Sequence, residues 1–358
     1  MEIVFVHLGR NIPGHLVENF LSFKARFPEL EVKLIISDDC KVPKRLSSNH
    51  LYFDNSAKRD YLFLDFDHDL KFRNQFWRKS IERIMAVCEY QINNLNTAVL
   101  HLESDILILP NFPFHIFERI SSIAWQNYND DRDVASILYI PDIGASAWLY
   151  KKLSEQISKD KTITDMSALR AIRRAHPAVC HVIPNLPAGN HLADNPKHLF
   201  LSAPPVNYVQ TNGVFDSAQI GMWLLGMDPR NTYGVLRLHN RGILDSGEAP
   251  IDPSRMSYSM DDVGGLHAGF EDGKTYPIFS LHVHSKELQL FKLDYSRPLR
   301  NYVKLGNAEK SPVSRFSTGV LLKMFITSVI SGNVFNFFLG IPFIYRLRLR
   351  IRNIRDHF

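Results

Sequence analysis

At 358 residues, with 45% hydrophobic and 22% charged residues, the chain has the composition of a globular protein long enough for one large α/β domain with appendages. Its formal net charge of +5 equals the contribution of the five arginines between Tyr345 and Arg355, so the body carries no basic bias towards nucleic acid. Cys40, Cys88 and Cys180 are widely spaced and odd in number, which excludes a disulfide framework and a cysteine metal site and points to a reducing, cytoplasmic location.

Met1 to Val6 has no basic leader and runs straight into an apolar strand over Glu2 to His7, so neither a signal peptide nor an N-terminal anchor is expected. A turn-rich loop, Leu8 to Gly14, leads into a helix over His15 to Arg26, and Val32 to Ile36 reads as the next strand, ending at Ser37-Asp38-Asp39. This strand-helix-strand start implies a mainly parallel sheet whose ligands bind at the carboxyl ends of its strands. No GxGxxG follows the first strand, which excludes a dinucleotide fingerprint. A third strand is expected at His50 to Phe53 and a helix over Phe72 to Tyr90.

The next stretch, Val99 to Pro110, is an apolar strand interrupted by Glu103 and Asp105, then a second apolar run. Residues two apart on a strand point the same way, and two carboxylates aimed at one point repel unless a cation lies between them. A hard divalent metal suits such a pair, although two solvated loop carboxylates would give the same letters. Further on, a helix is expected over Phe112 to Ile123, a strand at Ala135 to Ile140, and a helix over Ile143 to Ile157. Another helix begins near Thr162 to Leu169, with Thr164 or Asp165 as its cap, and Val179 to Ile183 is strand-like. Asn185 to Val206 reads as a long loop.

Thr211 to Asn231 places Asp216 at the start of a short helix that stops at Gly226, where the helix dipole favours a negative charge and capping alone also accounts for the residue. Asp261 and Asp262 stand in a glycine-rich loop that could act as a lid. In Pro277 to Leu288 the alternation puts Ile278, Ser280, His282 and His284 on one strand face, with Lys286 close behind.

Val320 to Tyr345 is mostly apolar, but its central Ser331-Gly332-Asn333 divides it into pieces shorter than the ~20 residues a spanning helix needs. Amphipathic helices over 316–358, with Arg346 to Arg355 on anionic headgroups, are therefore expected to lie on a membrane surface. A helical pair packed on the body and a single cytoplasm-facing transmembrane anchor are the competing readings.

The order of these segments, an open α/β start, an apolar strand ending in acid-x-Asp, a downstream Asp-bearing helix and a late His with Lys, resembles glycosyltransferases of the GT-A fold. Leu102-Glu103-Ser104-Asp105 is similar to their DxD motif, with Glu in the first place. The Phe215 to Gly221 and Leu281 to Lys286 segments look like those of bacterial capsule and lipopolysaccharide transferases. The resemblance covers residues 1 to 290. It implies a mixed, mainly parallel sheet flanked by helices in a catalytic domain over 1–312, with a nucleotide-binding part up to about 110 and an acceptor part beyond it, then a separate tail over 313–358.

The implied cofactor is Mn2+ or Mg2+, and the implied donor a nucleotide-sugar, with UDP-sugars favoured. The acceptor would be a saccharide or lipid-linked saccharide at the inner face of the cell membrane. Asp105 would be the main metal ligand, and Glu103 would reach the metal through water or hold the donor. His284, or His282 in its place, would be the late ligand, and Lys286 would neutralise the leaving diphosphate. His7, Gly9, Asp38 or Asp39, Arg59 and Arg83 are the implied donor contacts, Asp216 the implied base of an inverting transfer or an orienting residue in a retaining one, and Asp165 the implied acceptor contact. Two other classes compete: a metal-dependent phosphoesterase using the same side chains, and a non-catalytic sugar- or nucleotide-binding protein. The sequence sets no oligomeric state.

Overall fold

The computed structural model describes residues 1–64, 66, 75–94, 97–129, 132–187, 211–226, 253–270 and 273–307. The first half of the chain gives β1 (Glu2–His7), α1 (Gly14–Arg26), β2 (Val32–Ser37), β3 (Leu51–Asp54), α2 (Phe76–Asn94), β4 (Val99–Leu102) and β5 (Ile106–Ile108). After these come α3 (Phe114–Phe117), β6 (Ile123–Asn129), β7 (Arg132–Ile140), α4 (Ile143–Lys159), α5 (Asp165–Ala175) and β8 (Cys180–Ile183). The remainder gives β9 (Val214–Phe215), α6 (Gln219–Leu225), β10 (Ser257–Met260), β11 (Leu266–Gly269), β12 (Thr275–His282) and α7 (Ser296–Asn307).

Seven strands form a mixed, mostly parallel sheet in the order β3-β2-β1-β4-β7-β6-β8. Strand β7 runs antiparallel to both of its neighbours, and the other pairings in this sheet are parallel. Both faces are covered, so the inner strands are largely apolar, with exceptions such as the buried His101 of β4. Ile3 and Phe5 of β1 face α1, whose Leu16, Val17, Phe20 and Phe23 recur at helical spacing. The Phe5 ring meets those of Phe20 and Phe23 edge-on at 5.9 and 5.8 Å. Burying each such ring contributes roughly 1.5–3 kcal/mol. Val4 and Val6 face the other way, onto a core built by α2, α4 and α5. The N-cap of α5 is Thr164, whose hydroxyl accepts the Ser167 N–H at 3.1 Å while the Ser167 hydroxyl accepts the Thr164 N–H at 3.0 Å.

A smaller sheet, ordered β10-β11-β12-β5 with β9 on β12, packs with α6 and α7 around a third apolar cluster. It joins the large sheet through the acid motif: Leu102 ends β4, and after three intervening residues Ile106 starts β5 in the other sheet. All the strands that enter this junction from the large sheet, β1, β2 and β4, are parallel, so their carboxyl ends share one edge.

Several expectations change. The helix expected over Phe112 to Ile123 is one turn at Phe114–Phe117, and the chain then enters β6, where Ile123, Ala124 and Trp125 are fully buried between neighbouring strands. Helix α2 starts at Phe76 and runs to Asn94, with 72–74 outside the described residues. The Asp261–Asp262 segment is no open loop but the turn of a β10–β11 hairpin. Asp261 Oδ1 accepts the Gly265 N–H at 2.6 Å, and Tyr295 donates to the Gly264 carbonyl at 3.1 Å. Gly264 holds φ +89°, which a side chain would strain. Most of the 185–206 loop and the whole tail beyond Asn307 lie outside the described residues.

Candidate functional site

Strand pairing assembles the site. β5 runs antiparallel to the end of β12, with Ile106 opposite His282, Leu107 opposite Leu281 and Ile108 opposite Ser280. The Val283 N–H extends this ladder by donating to the Asp105 carbonyl at 2.7 Å. Two segments about 180 residues apart in sequence thus bring Glu103 and Asp105 against His282, at a junction the helical and strand periods alone do not define.

One ligand atom each from Glu103, Asp105 and His282 lie within 4.8 Å of one another. His282 Nε2 is 3.5 Å from Asp105 Oδ2 and 3.9 Å from Glu103 Oε2. Its other nitrogen, Nδ1, is 3.5 Å from the Ser136 hydroxyl on β7, which leaves Nε2 turned to the carboxylates. Two carboxylate oxygens and one imidazole nitrogen fit a hard or borderline divalent ion such as Mn2+ or Mg2+.

Two side-chain cations flank the cluster. Lys286 Nζ lies 3.0 Å from Asp105 Oδ2, and Arg83 of α2 pairs with Glu103. Burial alone would raise the Asp105 carboxyl, but Lys286 and then His282 outweigh it and hold the group well below the usual carboxylate range. Burial would lower His282, and the charges of Asp105 and Glu103 reverse that and raise it. Lys286 holds its position at φ +53°, a left-handed conformation costly for a residue with a side chain, with its N–H on the Val283 carbonyl at 2.8 Å.

Around this centre the other expected residues separate into three groups. His7, Gly9 and Asp38 lie at the shared edge, at or just beyond the carboxyl ends of β1 and β2. Burial lowers the pKa of His7, with Lys79 and Arg83 adding to the effect. A side chain at Gly9 would come within 3.0 Å of His7 Nε2, so glycine lets the loop and the ring share that space. Asp38 is exposed. Asp165, in the first turn of α5, is buried, and its Oδ1 has no hydrogen-bond partner among the described residues. Burial pushes its carboxyl up to about 6, against the pull of Arg83 and with a further push from Glu103.

Three expectations need correction. Asp216 is fully buried, and its carboxylate accepts four backbone N–H groups: Ala218 and Ile220 on Oδ1 at 2.9 and 3.0 Å, Gly221 and His282 on Oδ2 at 2.7 and 3.0 Å. It has no oxygen left for an acceptor hydroxyl, so the base role does not suit it. Arg59 is also fully buried, paired with Asp54 and Glu89 beside β3, and its guanidinium is not presented to a phosphate. His284 lies outside the three-residue cluster. The strand ends at His282, and the His284 ring instead lies 4.9 Å from the His282 ring.

One contributor escaped the sequence reading. Asn19 on α1 is buried, and its amide donates to the Ser104 and Ile106 carbonyls at 3.2 and 2.8 Å. The available signal was an asparagine set among Leu16, Val17, Phe20 and Phe23 on a helix face that should be apolar.

No family model matches the sequence, and no curated protein matches it. Among solved structures, the chain is similar to galactosyltransferase LgtC in complex with donor and acceptor sugar analogs, at a TM-score of 0.37 and 13% identity over 59% of this chain and 84% of that one. An active-site mutant of LgtC gives 0.36 and 14% over 59% and 85%. Likeness at this level carries no functional argument, and the reading below rests on this chain's own site.

Proposed function

We propose that this protein is a metal-dependent glycosyltransferase that moves a hexose from a nucleoside-diphosphate sugar, a UDP-sugar by preference, to a saccharide acceptor in bacterial surface-polysaccharide assembly. The observation that carries the proposal is the Glu103, Asp105 and His282 cluster with Lys286 at its rim, set where the chain passes from β4 in one sheet to β5 in the other. The strand order, with one antiparallel strand inside a parallel sheet and an acid motif after β4, supports the same reading.

Glu103, Asp105 and His282 would hold the divalent ion, which when bound supplies positive charge to a departing diphosphate. Lys286 adds its own charge at the same side, where negative charge develops on the leaving group. Arg83 orients Glu103 and balances its charge. His7, Gly9 and Asp38 line the edge where the nucleotide would rest. With Asp216 committed to backbone N–H groups, Asp165 is the carboxylate we assign to an acceptor hydroxyl. Residues 316–358 would dock the enzyme on the inner face of the membrane, beside a lipid-linked acceptor. No helix among the described residues is long and apolar enough to cross a membrane.

Calorimetric titration of the full chain with UDP-sugars, with and without Mn2+, tests the proposal. Metal-dependent binding that Asp105→Ala abolishes, together with acceptor-dependent release of nucleoside diphosphate, is the expected result. Binding indifferent to both metal and mutation defeats it, and hydrolysis of a phosphoester with no acceptor present favours a phosphoesterase instead. Loss of membrane sedimentation in a chain ending at Ser314 is expected from the docking role, and unchanged sedimentation refutes it.

A further inference from the structure

Among the described residues β5 is an edge strand, paired with β12 on one side only. Its backbone alternates. The Asp105 carbonyl and the Leu109 N–H face β12, bonded to the Val283 N–H and the Phe279 carbonyl at 2.7 and 3.0 Å. The carbonyls of Ser104, Ile106 and Ile108 therefore point away from the sheet. Buried carbonyls need donors, and an edge needs a cover.

Helix α1 supplies both. Asn19 donates to Ser104 and Ile106 at 3.2 and 2.8 Å, and Arg26 donates to Ile108. Asn19 and Arg26 are seven residues apart, two turns along one helix face. One turn before Asn19, His15 Nε2 lies 3.5 Å from the Ser104 hydroxyl, and its ring lies 5.7 Å from that of Phe291, five residues beyond Lys286. One polar stripe on α1 thus stands in for the missing strand, and it touches both halves of the site.

Ser104 is the residue between Glu103 and Asp105, so whatever fixes its carbonyl fixes the direction in which both carboxylates leave the backbone. From this geometry we propose that Asn19 is a positioning residue for the metal centre: its amide holds the Glu103-Ser104-Asp105 turn in the conformation that lets both carboxylates converge with His282. The inference rests on the metal-site reading above. It assigns to α1, which offers no metal ligand, a share in metal affinity.

The test compares Mn2+ affinity of the full chain, measured without donor by electron paramagnetic resonance, in the parent, Asn19→Leu and Leu153→Ala. Leucine keeps the number and branching of asparagine's side-chain heavy atoms and removes the donor. Leu153 is fully buried in the core on the other face of the large sheet and controls for general destabilisation. Loss of an outer hydrogen-bond partner typically weakens metal binding about 10- to 100-fold. Asn19→Leu should show a loss of that size, with Leu153→Ala unchanged at a comparable drop in melting temperature. Should Asn19→Leu not fold, Asn19→Ser, whose hydroxyl is too short to span both carbonyls, is read in the same titration.

Affinity within about twofold of the parent, or an equal loss in Leu153→Ala, overturns the positioning role while leaving the metal site standing. A parent that binds no Mn2+ overturns the metal reading itself, and the positioning role with it.

Discussion

The Asp216 carboxylate accepts the backbone N–H of His282 at 3.0 Å while its remaining hydrogen bonds tie down the first turn of α6. A single buried carboxylate thus joins a helix start to the strand that carries His282. Asp216→Asn turns an NH2 group towards N–H donors and leaves buried donors unpaired, at about 1–3 kcal/mol for each donor lost. We expect a lower urea midpoint with an unchanged slope, and metal binding retained in the folded fraction. Full stability with turnover abolished would instead restore Asp216 as a base.

The two histidines should separate in metal binding. His282 offers Nε2 to the carboxylates, whereas His284 lies against the His282 ring outside the cluster. His282→Ala should weaken Mn2+ binding by at least the ~10- to 100-fold typical even of outer-shell losses, and His284→Ala by less. Equal losses in the two variants, read by competition with a fluorescent chelator, contradict the assignment.

Lys286→Met should act in opposite directions on two ligands. Lys286 neutralises Asp105 in the metal-free protein, so its removal leaves that carboxylate free for a cation and should tighten Mn2+ binding. The same change removes a charge-assisted hydrogen bond worth about 1.5–3 kcal/mol from the diphosphate, so UDP in the presence of Mn2+ should bind roughly 10- to 100-fold more weakly. Calorimetry with each ligand in turn reads both signs. Parallel changes would mean that Lys286 does not exchange between the carboxylate and the phosphate.

What the sequence made legible, and what it did not, divides along local and non-local physics. Ile3, Phe5, Leu16, Phe20 and Phe23 fall on periods of two and 3.6, and the strands and helices they imply are present. The Glu103–Asp105 pair is legible as chemistry, yet it stands in a turn between two sheets rather than on one strand. The alternation that grouped His282 with His284 fails at Val283, where the backbone leaves the strand for the turn that puts Lys286 in a left-handed conformation. Only the pairing of β5 with β12 selects between the two rings, and no local pattern encodes that pairing. Asp216 misled for the same reason. A buried capping carboxylate and a catalytic one share the same residue and helix position, and they differ in how many N–H groups surround them.

The last prediction concerns pH. Asp165 has an ordinary value of 3.8 and is pushed up to about 6 by burial, so the fold favours its protonated form. The sign follows from linkage: a carboxyl raised on folding costs nothing below the unfolded value, destabilises progressively as pH rises from 3.8 to about 6, and imposes a constant penalty above that. Converted at 1.36 kcal/mol per pKa unit, that penalty is about 3 kcal/mol. Asp165→Asn removes it, so the variant should match the parent near pH 3.5 and gain stability steadily to about pH 6. Above that the gain should stay constant, as read by melting temperature at a series of pH values. A gain independent of pH would place the cost in packing rather than in charge. A gain of the expected form would mean that the parent chain retains a destabilising carboxylate beside Arg83 and Glu103, as expected of a group kept for a ligand rather than for the fold. The same variant should then weaken acceptor binding and leave Mn2+ affinity intact, which separates Asp165 from the metal cluster.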